Sequence, residues 1–250
     1  MSDPILHSHL PEDMRRSRAL PGVLPETGAW LRVDEAYARQ MARRETLLDS
    51  VPDEVLYMDP AARPAAQELL GCVLAAAGPL GFARGGDDVT CPDGRVVRVD
   101  AAAPMRTLGR MMQCDFVVMQ ARGAEHALTA AVLCFPASWR LGEKAGRPLT
   151  DIHVPVAEYT EDVARRVQRL FDGVQVGRPL WRFNQLWYDD PELFQPRSQH
   201  APRRVGAGQT DGPYYRTERQ TLLRLPQTRA VVFVIHTYVL ARADVPALRL

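Results

Sequence analysis

The spacing of apolar positions divides the chain into a helical first third and a strand-rich remainder. From Asp34 to Leu48, Tyr37, Met41 and Leu48 recur on one side of a helical repeat with arginines opposite, which predicts an amphipathic helix. A second helix is predicted from Ala65 to Ala77. It starts behind Pro64, places Leu69, Leu70, Val73 and Leu74 along one stripe, and stops at Gly78 and Pro79. The texture changes at Cys91: Asp93-Gly94 is turn chemistry beside the alternating run Val96-Val97-Arg98-Val99, and the sheet is expected to begin with that hairpin. Asp115 to Gln120 and Ala127 to Phe135 read as the next strands, joined by a polar turn at Gly123.

Thr160 to Phe171 has the marks of another amphipathic helix. Thr160 can cap it, Glu161 and Asp162 suit its positive end, and Val163, Val167, Leu170 and Phe171 share a face. Pro179 to Tyr188 and Arg229 to Val239 read as strands, the second continuously apolar from Ala230 to Ile235 as a central strand would be. Positions 191–213, rich in proline, form a long loop. Thr217 and Gln220 have the spacing of a capping box, which predicts a short helix ended by Pro226. Helices followed by antiparallel strands with interspersed helices place the chain in the α+β class. Residues 1–28 lack a sustained period and are expected to be an irregular surface segment, with 29–250 forming one domain.

Composition narrows the function classes. With 46% hydrophobic and 24% charged residues in 250, a sizeable core is expected. Thirty-one basic against thirty acidic residues leave a formal charge of +1, which offers no field toward nucleic acid or anionic lipid. No apolar run reaches the roughly 18 residues of a membrane span, and the N-terminus lacks a basic-then-apolar signal pattern. A cytoplasmic protein without membrane attachment is the expectation. Cys72, Cys91, Cys114 and Cys134 form no C-x-x-C pair; Cys72 and Cys134 sit in apolar runs and read as core residues.

The sequence holds no G-x-G-x-x-G, Walker loop, H-E-x-x-H or G-x-S-x-G. Candidate chemistry concentrates in three segments instead. In the stretch from Phe135 to Val156, His153 stands between Ile152 and Val154 and just before Pro155, an apolar and stiffened setting that suits an axial iron ligand and equally a core histidine. His236 in the last strand can point either way, whereas His126 at a strand start is expected to face solvent. In the second segment, Tyr215, Arg216, Glu218 and Arg219 gather where the long loop meets the core. In the third, Leu180 to Trp187, Arg182 and Asn184 share one strand face and Trp181 and Phe183 the other.

Together these segments resemble the haem-dependent oxidative N-demethylase family, the haem subunit of dimethylamine monooxygenase and its relatives. The blocks that carry the resemblance are Asp34-Glu-Ala-Tyr-Ala-Arg-Gln-Met, F-P-x-x-W to I-H-x-P-V, R-x-N at Arg182, and R-x-E-R-Q-T-L-x-R-L-P before the strand ending Thr237-Tyr238. They span about Asp34 to Tyr238, in order. The resemblance implies a PAS-like antiparallel sheet with flanking helices enclosing a haem b pocket. It also implies oxygen-dependent removal of a methyl group from a small secondary or tertiary amine, with formaldehyde released. His153 becomes the expected axial ligand, and Arg182, Asn184 and Tyr215 contacts of the cofactor. Arg216, Glu218 and Arg219 become expected distal residues, Glu218 attracting a protonated amine and an arginine bonding iron-bound oxygen or a propionate. No flavin, nicotinamide or iron–sulfur motif is present, so a separate reductase is expected as electron donor. Two positions depart from the family pattern: Ala157 where a proline follows the P-V pair, and Gln185 where a tryptophan follows the strand asparagine. The rival reading is a haem-based gas or redox sensor of PAS type, although no coiled-coil heptads follow to carry a signal.

Overall fold

A computed structural model describes residues 3–11, 14, 22–153, 161–201 and 212–245, the side chains of His153 and Glu161 excepted. It is an α+β protein built on one large antiparallel sheet. The sheet's centre is a hairpin of two eleven-residue strands, β10 (Tyr214–Arg224) and β11 (Val231–Ala241), paired along their whole length. β6 (Asp115–Arg122) pairs with β11 from Val231 to Ile235, and β7 (Glu125–Val132) and β2 (Leu56–Met58) continue outward. On the other side β10 carries β8 (Leu180–Phe183) and β9 (Leu186–Tyr188), and β1 (Leu24–Pro25) closes that edge against β8. The predicted single strand from Pro179 is thus two short ones, broken at Asn184 and Gln185.

Helices cover both faces. α1 (Tyr37–Ser50), α3 (Arg63–Ala77) and α4 (Pro104–Met111) bury Met41, Leu48, Leu69, Val73 and Leu108 in one core with Phe116, Val118, Val232 and Val234. The opposite face receives α5 (Leu141–Lys144), α6 (Leu149–His153) and α7 (Glu161–Gly173) through Leu141, Leu149, Ile152 and Phe171, which pack on Val117, Leu222, Val231 and Ile235. α2 (Pro52–Val55) turns the chain from α1 into β2. Close approach of α4 depends on Gly109, where a Cβ would lie 2.8 Å from Val132 and 3.1 Å from Leu48. Thr160, the expected cap of α7, and most of the second half of the 191–213 loop lie outside the described residues.

Four expectations are corrected. The Asp93-Gly94 turn does join two strands, but these are β4 (Asp88–Thr90) and β5 (Val96–Arg98), which with β3 (Ala83–Gly85) make a separate three-stranded sheet. The capping-box helix is absent: Thr217 to Gln220 lie inside β10, because eleven cross-strand pairings to β11 and four to β8 outweigh a local cap. β-branched and aromatic residues at Tyr214, Tyr215, Thr217 and Thr221 favour the extended form as well. His126 is buried, 3% exposed, against Phe171 and the Gln168 amide. Finally, the described residues 3–11 are irregular as expected, but with Met14 they include side chains buried in the fold rather than lying wholly on the surface. Beyond Ile235 the outer edge of β11 no longer meets β6, and His7 covers it, its backbone N–H donating to the Val239 carbonyl at 2.7 Å while its Nδ1 accepts from the Val239 N–H. Leu10 and Met14 are buried beside Trp181, Tyr215 and Tyr238.

Candidate active site on the helix-covered sheet face

Side chains along β10 alternate, so Arg216, Glu218, Gln220 and Leu222 share one face and Tyr215, Thr217, Arg219 and Thr221 the other. Leu222 packs in the cluster that holds Ile152 of α6, so Glu218 lies on the sheet face covered by the helix that ends at His153. The side chain of His153 itself lies outside the described residues.

Glu218 is 5% exposed. Its Oε2 accepts from Asn184 Nδ2 at 2.9 Å and from Gln220 Nε2 at 3.0 Å, and its backbone N–H donates to Asn184 Oδ1 at 2.7 Å. Asn184 fits this position because it breaks the strand between β8 and β9 and supplies donor and acceptor to one neighbour. The other oxygen, Oε1, stands 4.0 Å from Arg216 Nη2, beyond hydrogen-bond distance. Burial pushes the Glu218 carboxyl above the usual carboxylate range; Arg216 and the two amides oppose this, and Asp115 adds to it.

Arg216, 1% exposed, spends both terminal nitrogens on backbone carbonyls. Nη1 donates to the Leu193 carbonyl at 2.9 Å and Nη2 to the Phe135 carbonyl at 2.7 Å, with the guanidinium 5.6 Å from the Tyr188 ring. It therefore pins two loops beneath β10 and lends Glu218 a nearby positive charge, with only Nε left without a partner. Arg182, across from Gln220 in β8, donates Nη1 to Gln220 Oε1 at 3.2 Å, so a single amide links the Arg182 guanidinium to the Glu218 carboxylate. Burial lowers the Arg182 pKa and Glu218 opposes that shift.

Arg219 and Tyr215 do not join this group. Arg219 crosses to the other face, bonded to Glu26 and stacked with Cζ 3.5 Å from the Trp181 ring centre. Tyr215 packs there against Trp187, ring centres 5.2 Å apart. The structure thus brings together Glu218, Arg216, Arg182 and Asn184, and separates Arg219 and Tyr215 from them.

Two further histidines, His236 and His7, are engaged with protein partners on the other face. His236 is buried on the opposite face, its Nε2 bonded to Asp34 Oδ2 at 2.7 Å and its Nδ1 3.4 Å from Cys114 Sγ. Burial alone would lower its pKa, but the facing Tyr238 and Cys114 and the Asp34 bond carry it well above the usual histidine range. His7 Nε2 shares the same Asp34 oxygen at 3.1 Å. Among the described residues no group of three metal-ligating side chains is assembled.

Two residues of consequence have no motif to announce them. Arg44 of α1 and Asp115 at the head of β6 form an ion pair of 2.6 Å with both side chains at most 1% exposed. Asp115 also accepts the Cys134 and Phe135 N–H groups at 2.8 and 2.9 Å. The same Phe135 peptide offers its carbonyl to Arg216, so the buried pair positions the loop that anchors Arg216. An arginine on the apolar stripe of α1, between Met41 and Leu47, is the sequence signal for it.

Fold and site together define an α+β protein with a buried, amide-braced carboxylate on a helix-covered sheet face. The family model for haem-dependent oxidative N-demethylase, alpha subunit-like, matches residues 25–248, and the chain belongs to that family. Among the described residues no helix is long and apolar enough to cross a membrane.

Proposed function

We propose that this chain is the haem-carrying subunit of an oxidative N-demethylase acting on a small secondary or tertiary amine. In this reading His153 is the axial ligand of haem b, the antiparallel sheet is its PAS-like frame, and a separate reductase protein delivers electrons. The observation that carries the reading is Glu218: a buried carboxylate with one oxygen braced by two amides and the other without a hydrogen bond among the described residues, on the face beneath α6.

A protonated amine is a compact cation with N–H donors, and Glu218 Oε1 is its natural acceptor in a site from which water is excluded. Asn184 and Gln220 keep the carboxylate from rotating, and Arg216, held by two carbonyls, stays too far away to neutralise it by a direct hydrogen bond. The amine's N-methyl carbon is thereby fixed relative to Glu218, which is the orientation an attack on that carbon requires. Haem, when bound, would supply the oxygen activation that no side chain of this cluster offers. Collapse of the resulting carbinolamine releases formaldehyde and the shortened amine. Arg182, on the same face and without a directly bonded carboxylate among the described residues, suits a haem propionate.

His153 is taken as the ligand from the family resemblance, and three of the other histidines are engaged in the fold while His9 and His200 are exposed. His7 and His236 spend both ring nitrogens on protein partners, and His126 spends Nδ1 on Gln168. The test is the absorption spectrum of protein expressed with haem supply, wild type beside His153→Ala. A Soret band that is lost or strongly weakened in the variant, with folding retained by circular dichroism, is the expected outcome. A folded wild type that stays colourless overturns the proposal.

A further inference from the structure

Lys144 closes α5 and is 4% exposed, yet its Nζ has one hydrogen-bond partner, the carbonyl of Ile152. No carboxylate among the described residues pairs with it. Its neighbour Glu143 accepts the Gln199 N–H at 2.8 Å, Glu125 accepts the N–H and hydroxyl of Thr150, and Asp151 in the first turn of α6 is exposed and makes no ion pair with Lys144. An ammonium has three N–H donors, and removing it from water without a counter-charge costs several kcal/mol. Burial accordingly pushes Lys144 below the ordinary lysine range, with Glu143 opposing and Arg147 adding to the shift.

The position of this ammonium is informative. Ile152 and His153 share the peptide whose carbonyl Lys144 holds, so the cation stands at the C-terminal end of α6, one residue from the expected iron ligand. We propose that Lys144 is a carboxylate anchor of the haem site, its ammonium pairing with one propionate while keeping its bond to the Ile152 carbonyl. The inference rests on the haem-subunit reading above. It assigns Lys144 a role distinct from that of Arg182, so that Lys144 and Arg182 serve two separate carboxylates. A carboxylate ligand would give this buried lysine the counter-charge that no described residue supplies, which a second backbone carbonyl would not.

Esterified haem separates this role from a purely structural one. Affinities of wild type, Lys144→Met and Lys144→Arg would be measured by Soret titration with haem and with haem dimethyl ester, which lacks both negative charges. For haem, Lys144→Met should bind about 10-fold or more weakly than wild type, the loss expected when one partner of a desolvated charge pair is removed. For the ester the two proteins should agree within about 3-fold, and Lys144→Arg should retain most of the preference for free haem. Equal losses for haem and ester would mean that Lys144 only fixes the Ile152–His153 peptide, and would overturn the proposal. No loss for either would overturn it too. A wild type that binds neither pigment would instead remove the haem reading itself, and the anchor with it.

Discussion

Replacing Glu218 by glutamine is expected to weaken binding of a methylammonium ion by about 100-fold while leaving haem retention unchanged. The size follows from removing one partner of a desolvated charge pair, typically about 2–5 kcal/mol. Glutamine keeps the shape and still accepts from Asn184 and Gln220, so the site should stay assembled. Titrating the haem-loaded protein with dimethylammonium and following the Soret shift gives the affinity directly. The pH dependence has a definite sign. Only the carboxylate form attracts the cation, and the Glu218 pKa is raised by burial, so wild-type binding should fail on acidification sooner than it would with an ordinary carboxylate. In the Glu218→Gln variant the residual binding should lack that dependence.

Stability carries the opposite sign. A carboxyl whose folded-state pKa lies above its unfolded value makes folding less favourable as pH rises through the interval between the two. Glu218→Gln should therefore be at least as heat-stable as wild type at neutral pH, and the difference should close below about pH 4, where the carboxyl is protonated in both states. A large loss of stability in the variant would mean that Glu218 is a structural ion-pair partner of Arg216 rather than a carboxylate held ready for a ligand.

The second large effect is expected at the Arg44–Asp115 pair. Asp115→Ala leaves a buried guanidinium without its counter-ion and the Cys134 and Phe135 amides without an acceptor. Breaking such a pair costs about 3–5 kcal/mol, which for a chain of this size lowers the melting temperature by roughly 10 °C. Arg44→Met should cost a similar amount, and the double variant should lose less than the sum, because the second change removes an orphaned charge. Since the Phe135 carbonyl holds Arg216, Asp115→Ala should also weaken amine binding in the surviving folded protein. Thermal unfolding of the three variants, followed by the same Soret titration, reads both consequences. Strict additivity would show that the two charges do not depend on each other.

The parts of the fold that sequence made legible are those whose burial follows a period. α1, α3 and α7 each bury one stripe, β6 and β11 have the β-branched, apolar character of inner strands, and β7 is apolar though rich in alanine. β10 escapes this logic. As a central strand it is buried on both faces, but its inward positions are Arg216, Glu218 and Gln220 on one side and Thr217 and Arg219 on the other, so it looks polar and its Thr-x-x-Gln spacing imitates a helix cap. α4 escapes because it is short and contains Gly109, whose role is a close approach and not a propensity. The small sheet at β3–β5 looks like the start of the main one because a turn signal is local and says nothing about which sheet a hairpin joins.

The site was legible to a different degree. Glu218, Arg216, Arg182 and Asn184 stand out in sequence only as members of blocks, and spacing alone could not tell that Arg219, adjacent to Glu218, faces the other way. Once the segment is a strand, the alternation does so at once. Arg44, Asp115 and Lys144 have no motif, since a charged residue inside an apolar pattern is ordinarily read as a solvated position. Their burial depends on partners 71 residues away in the case of Arg44 and on the carbonyl of a later helix in the case of Lys144.

The central claim is tested most directly by incubating the haem-loaded protein with dimethylamine, oxygen and a chemical or protein reductant, and measuring formaldehyde against amine consumed. The account predicts formaldehyde in step with loss of the N-methyl group, strictly dependent on oxygen and reductant. Haem-loaded protein that reduces oxygen but releases no formaldehyde from any small secondary or tertiary methylamine would contradict it.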